Sequence, residues 1–288
     1  MDEYLCEQHL KELAPELHQR YCHSITRLFK VLDNYQARFP WFTDHTMLHS
    51  INVINFCNTL IANNIKYLNA DEVYVLLMSA YLHDSGMGIS EADYEIFCQN
   101  INIEHYSKTD SSESLTAIIR DFHHEFSGEF IKKYASQFDI PSEYVFAIVQ
   151  ISRGHRKINL YDEQEYPSKY TLSNGNAICL PYLAALLRLA DEIDVAVDRN
   201  SITMYEQKHN SVSDHIFNMH RAIQRISIEQ ESFVIKFDVK GDMKLYDDIM
   251  QLKRKMEHTL FECRDVIHRR TSFVLSQKEI IAIGKNLF

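Results

Sequence analysis

A helical apolar run, Val73, Leu76, Leu77 and Ala80, ends directly in His83-Asp84 and a Ser85-Gly86 turn. An imidazole and a carboxylate at the inner end of a core helix are costly to bury alone. Whatever fold this chain adopts must bring them partners, and a divalent cation is the natural one. A lone His-Asp dipeptide is weak evidence, because capping or chance explains most of them. Here several other helices each place one His or Asp on their own apolar stripe.

Those stripes recur at helical rather than alternating spacing, and only seven glycines and five prolines interrupt 288 residues. The pattern predicts a mainly α chain with one large core and a smaller annex. Residues 4–38 read as one or two amphipathic helices interrupted near Pro15. A helix over 45–63, capped by Thr43 or Asp44, carries Leu48, Ile51, Ile54, Cys57 and Ile61. A second core helix covers 71–84. Residues 85–110 read as a polar, irregular insertion with helical character near 92–97, placed to overhang whatever His83 and Asp84 bind. Helices follow over 112–136 (Leu115, Ile119, Phe122, Phe126, Phe130), 141–154 (Val145, Ile148, Ile151) and 180–196 (Leu183, Leu186, Leu187, Ala190), the last preceded by a Tyr-rich loop. Beyond about 200 the pattern changes. Alternation over 225–239 signals a hairpin, a charged helix spans 244–268, and 272–275 reads as a short strand. The domains are therefore expected as 1–200, the helical bundle, and 201–288, a small α+β subdomain of hairpin plus long helix. The hairpin needs something to pack on, which favours a lid on the core over a dimer surface.

The formal charge of −10 disfavours a long non-specific nucleic-acid surface but leaves room for a local phosphate pocket. Six scattered cysteines form neither a zinc cluster nor a disulfide framework, and read as reduced thiols. No leader-like segment opens the sequence, and no apolar stretch is long enough to span a membrane. The expectation is a soluble cytoplasmic protein.

Candidate ligands are the polar residues that fall where a stripe calls for an apolar one. His49 lies beside Leu48 and Ile51, His123 four residues after Ile119, His155 four after Ile151, and Asp191 four after Leu187. All four point inward if their helices pack by those stripes. With His83 and Asp84 they make four histidines and two carboxylates, a set suited to two divalent cations bridged by Asp84. Taken singly, each histidine is more often a hydrogen-bonded core residue, and Asp191 and Asp194 could be late-helix surface acids. Joint occurrence on five helices favours the shared site. Mn, Fe, Co, Ni, Zn and Mg are all admissible. Arg153, Arg156 and Lys157 flank His155 and could grip a phosphate, or simply form a solvated basic helix end. His45, one turn before His49, is a candidate contact to substrate phosphate or to a ligand residue. His124 is a candidate proton donor to the leaving oxygen or a solvent-facing neighbour of His123, and Asp194 could orient a ligand histidine.

The order His49, His83-Asp84, Asp191 resembles the HD superfamily of metal-dependent phosphohydrolases. The segments Phe42-Thr-Asp-His-Thr-Met-Leu-His-Ser50, Tyr81-Leu-His-Asp-Ser-Gly-Met87 and Leu187-Arg-Leu-Ala-Asp-Glu-Ile-Asp194 look most like its HD-CE branch, found in bacterial conflict-system proteins. The likeness covers roughly 35–200. His123-His-Glu-Phe-Ser127 and His155 resemble the further ligands of two-metal members such as the HD-GYP phosphodiesterases. Met87 stands where those enzymes often carry lysine, and their Gly-Tyr-Pro signature is absent, so a cyclic dinucleotide substrate is not implied. The arginine that precedes the first histidine in deoxynucleotide triphosphohydrolases is replaced by Thr46. The resemblance implies hydrolysis of a phosphoester in a nucleotide or phosphodiester by a metal-activated hydroxide, with Asp84, His124 and Arg156 as catalytic candidates. Two rivals remain: a nuclease subunit whose partner supplies the nucleic-acid surface, and a catalytically silent binding module. Partners would then include a second copy or a conflict-system protein.

Overall fold

The computed structural model describes residues 5–32, 47–103, 112–156, 158–195 and 218–285. The helices are α1 (Leu5–Leu13), α2 (Pro15–Leu32), α3 (Met47–Ile61), α4 (Ala70–Leu82), α5 (Glu91–Asn100), α6 (Ser112–Tyr134), α7 (Ser142–Arg153), α8 (Leu180–Ile193) and α9 (Met243–Arg270). Two helices are predominantly apolar and buried on every side, the signature of a core position. In α4 every residue from Asp71 to Leu82 is buried, and in α8 every residue from Leu180 to Ala190. Around α4 pack α1, α2, α3, α7 and α8, while α8 also meets α3, α7 and α9. A capping box between Asn69 and Glu72 starts α4.

The strands are β1 (Tyr170–Thr171), β2 (Ala177–Ile178), β3 (Ile223–Ile228), β4 (Ser232–Asp238) and β5 (Glu279–Lys285). β1 and β2 form a small hairpin, and the other three a sheet in the order β3-β4-β5. β3 and β4 are antiparallel. β4 and β5 are parallel, so α9 serves as the crossover that parallel pairing requires. The protein is thus a mainly α bundle with a small α+β region at its C-terminal end. One apolar core runs through both parts, and α9 lies along α8. Among the described residues no helix is long and apolar enough to cross a membrane.

Three local expectations are corrected. Leu48 is 47 % exposed, and the buried face of α3 is His49, Ser50, Val53, Ile54, Cys57, Leu60 and Ile61. The helix is turned so that His49 is drawn inward, with its ring bonded to Asp194. The described part of the insertion after Asp84, residues 85–103, is less irregular than expected: α5 is capped by Ser90, and Tyr94, Phe97 and Cys98 are buried as it packs on α6. No strand forms at 272–275. Phe273 stacks on Tyr182 of α8 (ring centroids 4.0 Å, 15°), and the Val274 carbonyl accepts from Asn64 (2.9 Å), which holds this stretch across the bundle. The next segment, β5, makes the strand instead. The proposed caps Thr43 and Asp44 lie outside the described residues.

Candidate metal centre

α4 ends at His83, and Asp84 opens a short 3-10 turn, Ser85–Gly88. The turn is stitched to α6. The Gly86 N–H donates to Ser127 Oγ (2.8 Å), and Ser127 Oγ donates to the His83 carbonyl (2.6 Å). α7 ends at Gly154, and His155 follows in the turn. Arg188 of α8, itself buried, donates to the carbonyls of Gly154 (2.7 Å) and Ile158 (2.7 Å) and so fixes that turn from both sides. α3 brings His49, α6 brings His123, and the last turn of α8 brings Asp191.

The side chains meet in two groups that share Asp84. His49, His83, Asp84 and Asp191 form one, and Asp84, His123 and His155 the other, with ligand atoms inside each group all within 4.8 Å. Asp84 Oδ2 lies 3.4 Å from both His49 Nε2 and His83 Nε2. Its other oxygen, Oδ1, lies 3.4 Å from His123 Nε2 and 3.6 Å from His155 Nε2. Asp191 Oδ1 stands 3.3 Å from His49 Nε2 and 3.6 Å from His83 Nε2.

Ring chemistry explains what this arrangement is suited to hold. His83, His123 and His155 place Nδ1 at 2.9, 2.5 and 2.5 Å from the carbonyls of Ala80, Arg120 and Ser152. A carbonyl only accepts, so Nδ1 carries the hydrogen and Nε2 offers a lone pair. His49 does the same through Asp194, at 2.6 Å. Yet Nε2 of His49 faces Nε2 of His83 at 3.1 Å, and Nε2 of His123 faces Nε2 of His155 at 2.9 Å. Burial pulls His83 down, but Asp84 and Asp191 outweigh it and hold that ring up at about 10, so one proton relieves the first pair. The second pair has no such relief. Burial lowers His123, and burial together with His83 and His123 drives His155 well below its usual range. Burial would raise Asp191, but His49 and His83 hold its carboxyl well below the ordinary value.

Two bare lone pairs at 2.9 Å with the buried carboxylate of Asp84 beside them call for a cation between them. Bonds of about 2.1 Å place neighbouring ligands about 3.0 Å apart around an octahedral ion and about 3.4 Å apart around a tetrahedral one. The edges found here, from 2.9 to 3.6 Å, fall at those separations. The residues present fit divalent metal ions.

The remaining candidates fall into three positions. His124 is half-buried rather than solvent-facing, with its ring 5.9 Å from His123 and 6.5 Å from His155; its buried Nδ1 has no hydrogen-bond partner among the described residues. Burial and the neighbouring His123 lower it to about 4. Arg153 is held away from the centre by Glu125 through paired bonds of 2.8 and 2.9 Å, and by Glu165 at 3.3 Å. Arg156 lines a cavity of about 480 Å³ that opens beside His155. His45 and Lys157 lie outside the described residues.

That cavity holds residues the sequence reading missed. Its far wall is α9, through Lys255, His258 and Glu262, and its near wall includes Glu192, whose carboxylate pairs with Lys255 at 2.8 Å. The Tyr161 hydroxyl bonds Asp265, and Arg270 donates to the carbonyls of Leu160 (2.8 Å) and Tyr166 (2.9 Å), so the loop after His155 is clasped to α9. The i, i+3, i+7 spacing of Lys255, His258 and Glu262 marks one helix face, but nothing in the sequence says what that face looks onto.

A helical bundle in which a His-Asp pair at one helix end meets histidines and an aspartate from its neighbours defines an HD-type domain. Residues 39–242 match the HD-CE family model, and the chain belongs to that family. No curated protein sequence matches it.

One prediction arises from the ring geometry itself. Asp194→Asn should weaken metal binding about 10–100-fold, because the amide no longer fixes the charge and tautomer of His49. Titration with Mn(II) or Ni(II) checks this; unchanged affinity would mean that Asp194 does not orient the ring.

Proposed function

We propose that the protein is a metal-dependent phosphohydrolase that cleaves a phosphoester of a nucleotide or a small phosphodiester. The observation that carries this reading is Asp84 standing between two histidine groups, with a bounded basic-lined cavity beside one of them. His49, His83, Asp84 and Asp191 would hold one ion, and Asp84, His123 and His155 a second. When bound, such ions lower the pKa of water from ~15.7 toward ~7 and neutralise charge on phosphate oxygens.

The chain's own residues supply the rest. Arg156 at the cavity mouth is placed to take a phosphate oxygen, since a guanidinium matches it bidentately. His124, kept neutral at pH 7 by burial, can accept a proton or relay one at its partnerless Nδ1. Glu192 and Lys255 neutralise each other across the cavity, so ligand charge is met mainly by Arg156. The cavity volume lies within the ~300–1,000 Å³ of small-molecule sites, which favours a nucleotide over a polymer. The acidic balance of the chain supports the same choice over a nuclease subunit. Residues 1–200 would then be the catalytic unit and 201–288 its covering wall, in a conflict-system setting with a protein partner.

The test is elemental analysis of protein purified without chelator or histidine tag, followed by a nucleotide screen. About two ions per chain are expected, with His155→Ala retaining one. A chain that takes up neither Mn(II) nor Ni(II) would overturn the reading in favour of a binding module.

A further inference from the structure

The C-terminal sheet has two unlike edges. β3 is blunted: its register shifts between Ile223 and Arg225, and Gln224 and Arg225 line a cleft with Asn52 and Asn55 of α3. Among the described residues β5 has neither protection. Its seven residues run in unbroken register with β4, include no proline, and have no second strand partner among the described residues. Ile280 is buried, whereas Ile281 and Ile283 are 39 % and 46 % exposed. An uncovered, regular, apolar edge is a template for pairing with another chain.

The sequence of β5 is complementary to itself. In an antiparallel pair with a two-fold axis at Ala282, Glu279 of each copy faces Lys285 of the other, and Ile281 faces Ile283. Both kinds of pair stabilise a ladder, and each occurs twice by symmetry. A register moved along the strand loses the glutamate–lysine match at both ends, so the charges select this alignment. We propose that a second copy of this chain docks on β5, antiparallel, about a two-fold axis at Ala282. Seven paired residues alone fall short of the roughly 1,200–2,000 Å² of a stable interface. Further apolar surface lies alongside: Arg264 donates to the Lys278 carbonyl at the start of β5 and lines a groove with Phe261 and Val274, which are 69 % and 71 % exposed.

Sedimentation velocity of the full chain over a dilution series tests this. The expected result is a species of twice the chain mass, converted to monomer by Ile283→Lys. Glu279→Lys should raise Kd about tenfold or more, because lysine then opposes lysine at both ends. Adding Lys285→Glu to that variant should restore the wild-type Kd, an outcome that a merely misfolded variant cannot give. A monomeric wild type, a dimer indifferent to Ile283→Lys, or failure of the charge swap to rescue would each overturn the proposal.

Discussion

Asp84→Ala is expected to lose the proposed metal-dependent hydrolysis by at least about a hundredfold and to hold less metal, while its far-UV circular dichroism stays that of the parent. Replacing residues that merely orient ligands costs about 10–100-fold, and Asp84 stands closer to the centre than those. Its two oxygens face different histidine groups, so one truncation takes a donor from both. The fold is expected to survive, because the Asp84 side chain makes no capping bond at the turn it begins. Asp84→Asn separates charge from shape: it keeps the volume but removes one of the two anions that together hold His83 up at about 10. Undiminished hydrolysis in Asp84→Ala would sink the assignment.

The second large effect comes from a residue with no side chain. Gly86→Ala would set a Cβ 2.2 Å from the His123 carbonyl oxygen and 2.5 Å from the Ser127 nitrogen. Both atoms belong to the backbone of α6, so no rotamer change makes room. The turn must lift away, which breaks the bonds that Ser127 makes to Gly86 and His83. Overpacking costs about 1–3 kcal/mol and the stranded buried groups about 1–3 more, so a loss of about 3 kcal/mol or more is expected in urea unfolding. Gly88→Ala is the control. Nothing lies within 4 Å of its added methyl, and a change within about 0.5 kcal/mol is expected. Equal effects at the two positions would mean that the turn and α6 are not in close contact.

The contrast between these two glycines shows what a single sequence can and cannot convey. His123, His155 and Asp191 could be placed inward because each sits four residues from an apolar neighbour on a regular helix, and helical geometry does the rest. His49 does point inward, but Leu48 beside it is exposed, and the ring is bonded to Asp194, 145 residues away. Arg153 has the composition of a phosphate ligand, but its partner Glu125 lies 28 residues earlier on another helix. Lys255 and His258 lie in a stretch whose sequence signals only a charged helix, and the packing of α9 on α8 sets them over the cavity. Periodicity reports which way a residue points within its own element. Which elements are neighbours is decided by tertiary packing, and the missed residues all depend on that.

The wall formed by α9 also has a consequence for the order in which the molecule is made. A chain emerging N-terminus first presents His49, His83, Asp84, His123 and His155 before α8 appears, and α8 with Asp191 long before α9. Until α9 arrives, α8 lacks the helix that lies along it, and the loop after His155 lacks Arg270 and Asp265 to clasp it. The pocket therefore closes late in synthesis. A chain that has not yet added α9 holds the five ligands from His49 to His155, and Asp191 with them, beside a cavity that lacks its far wall.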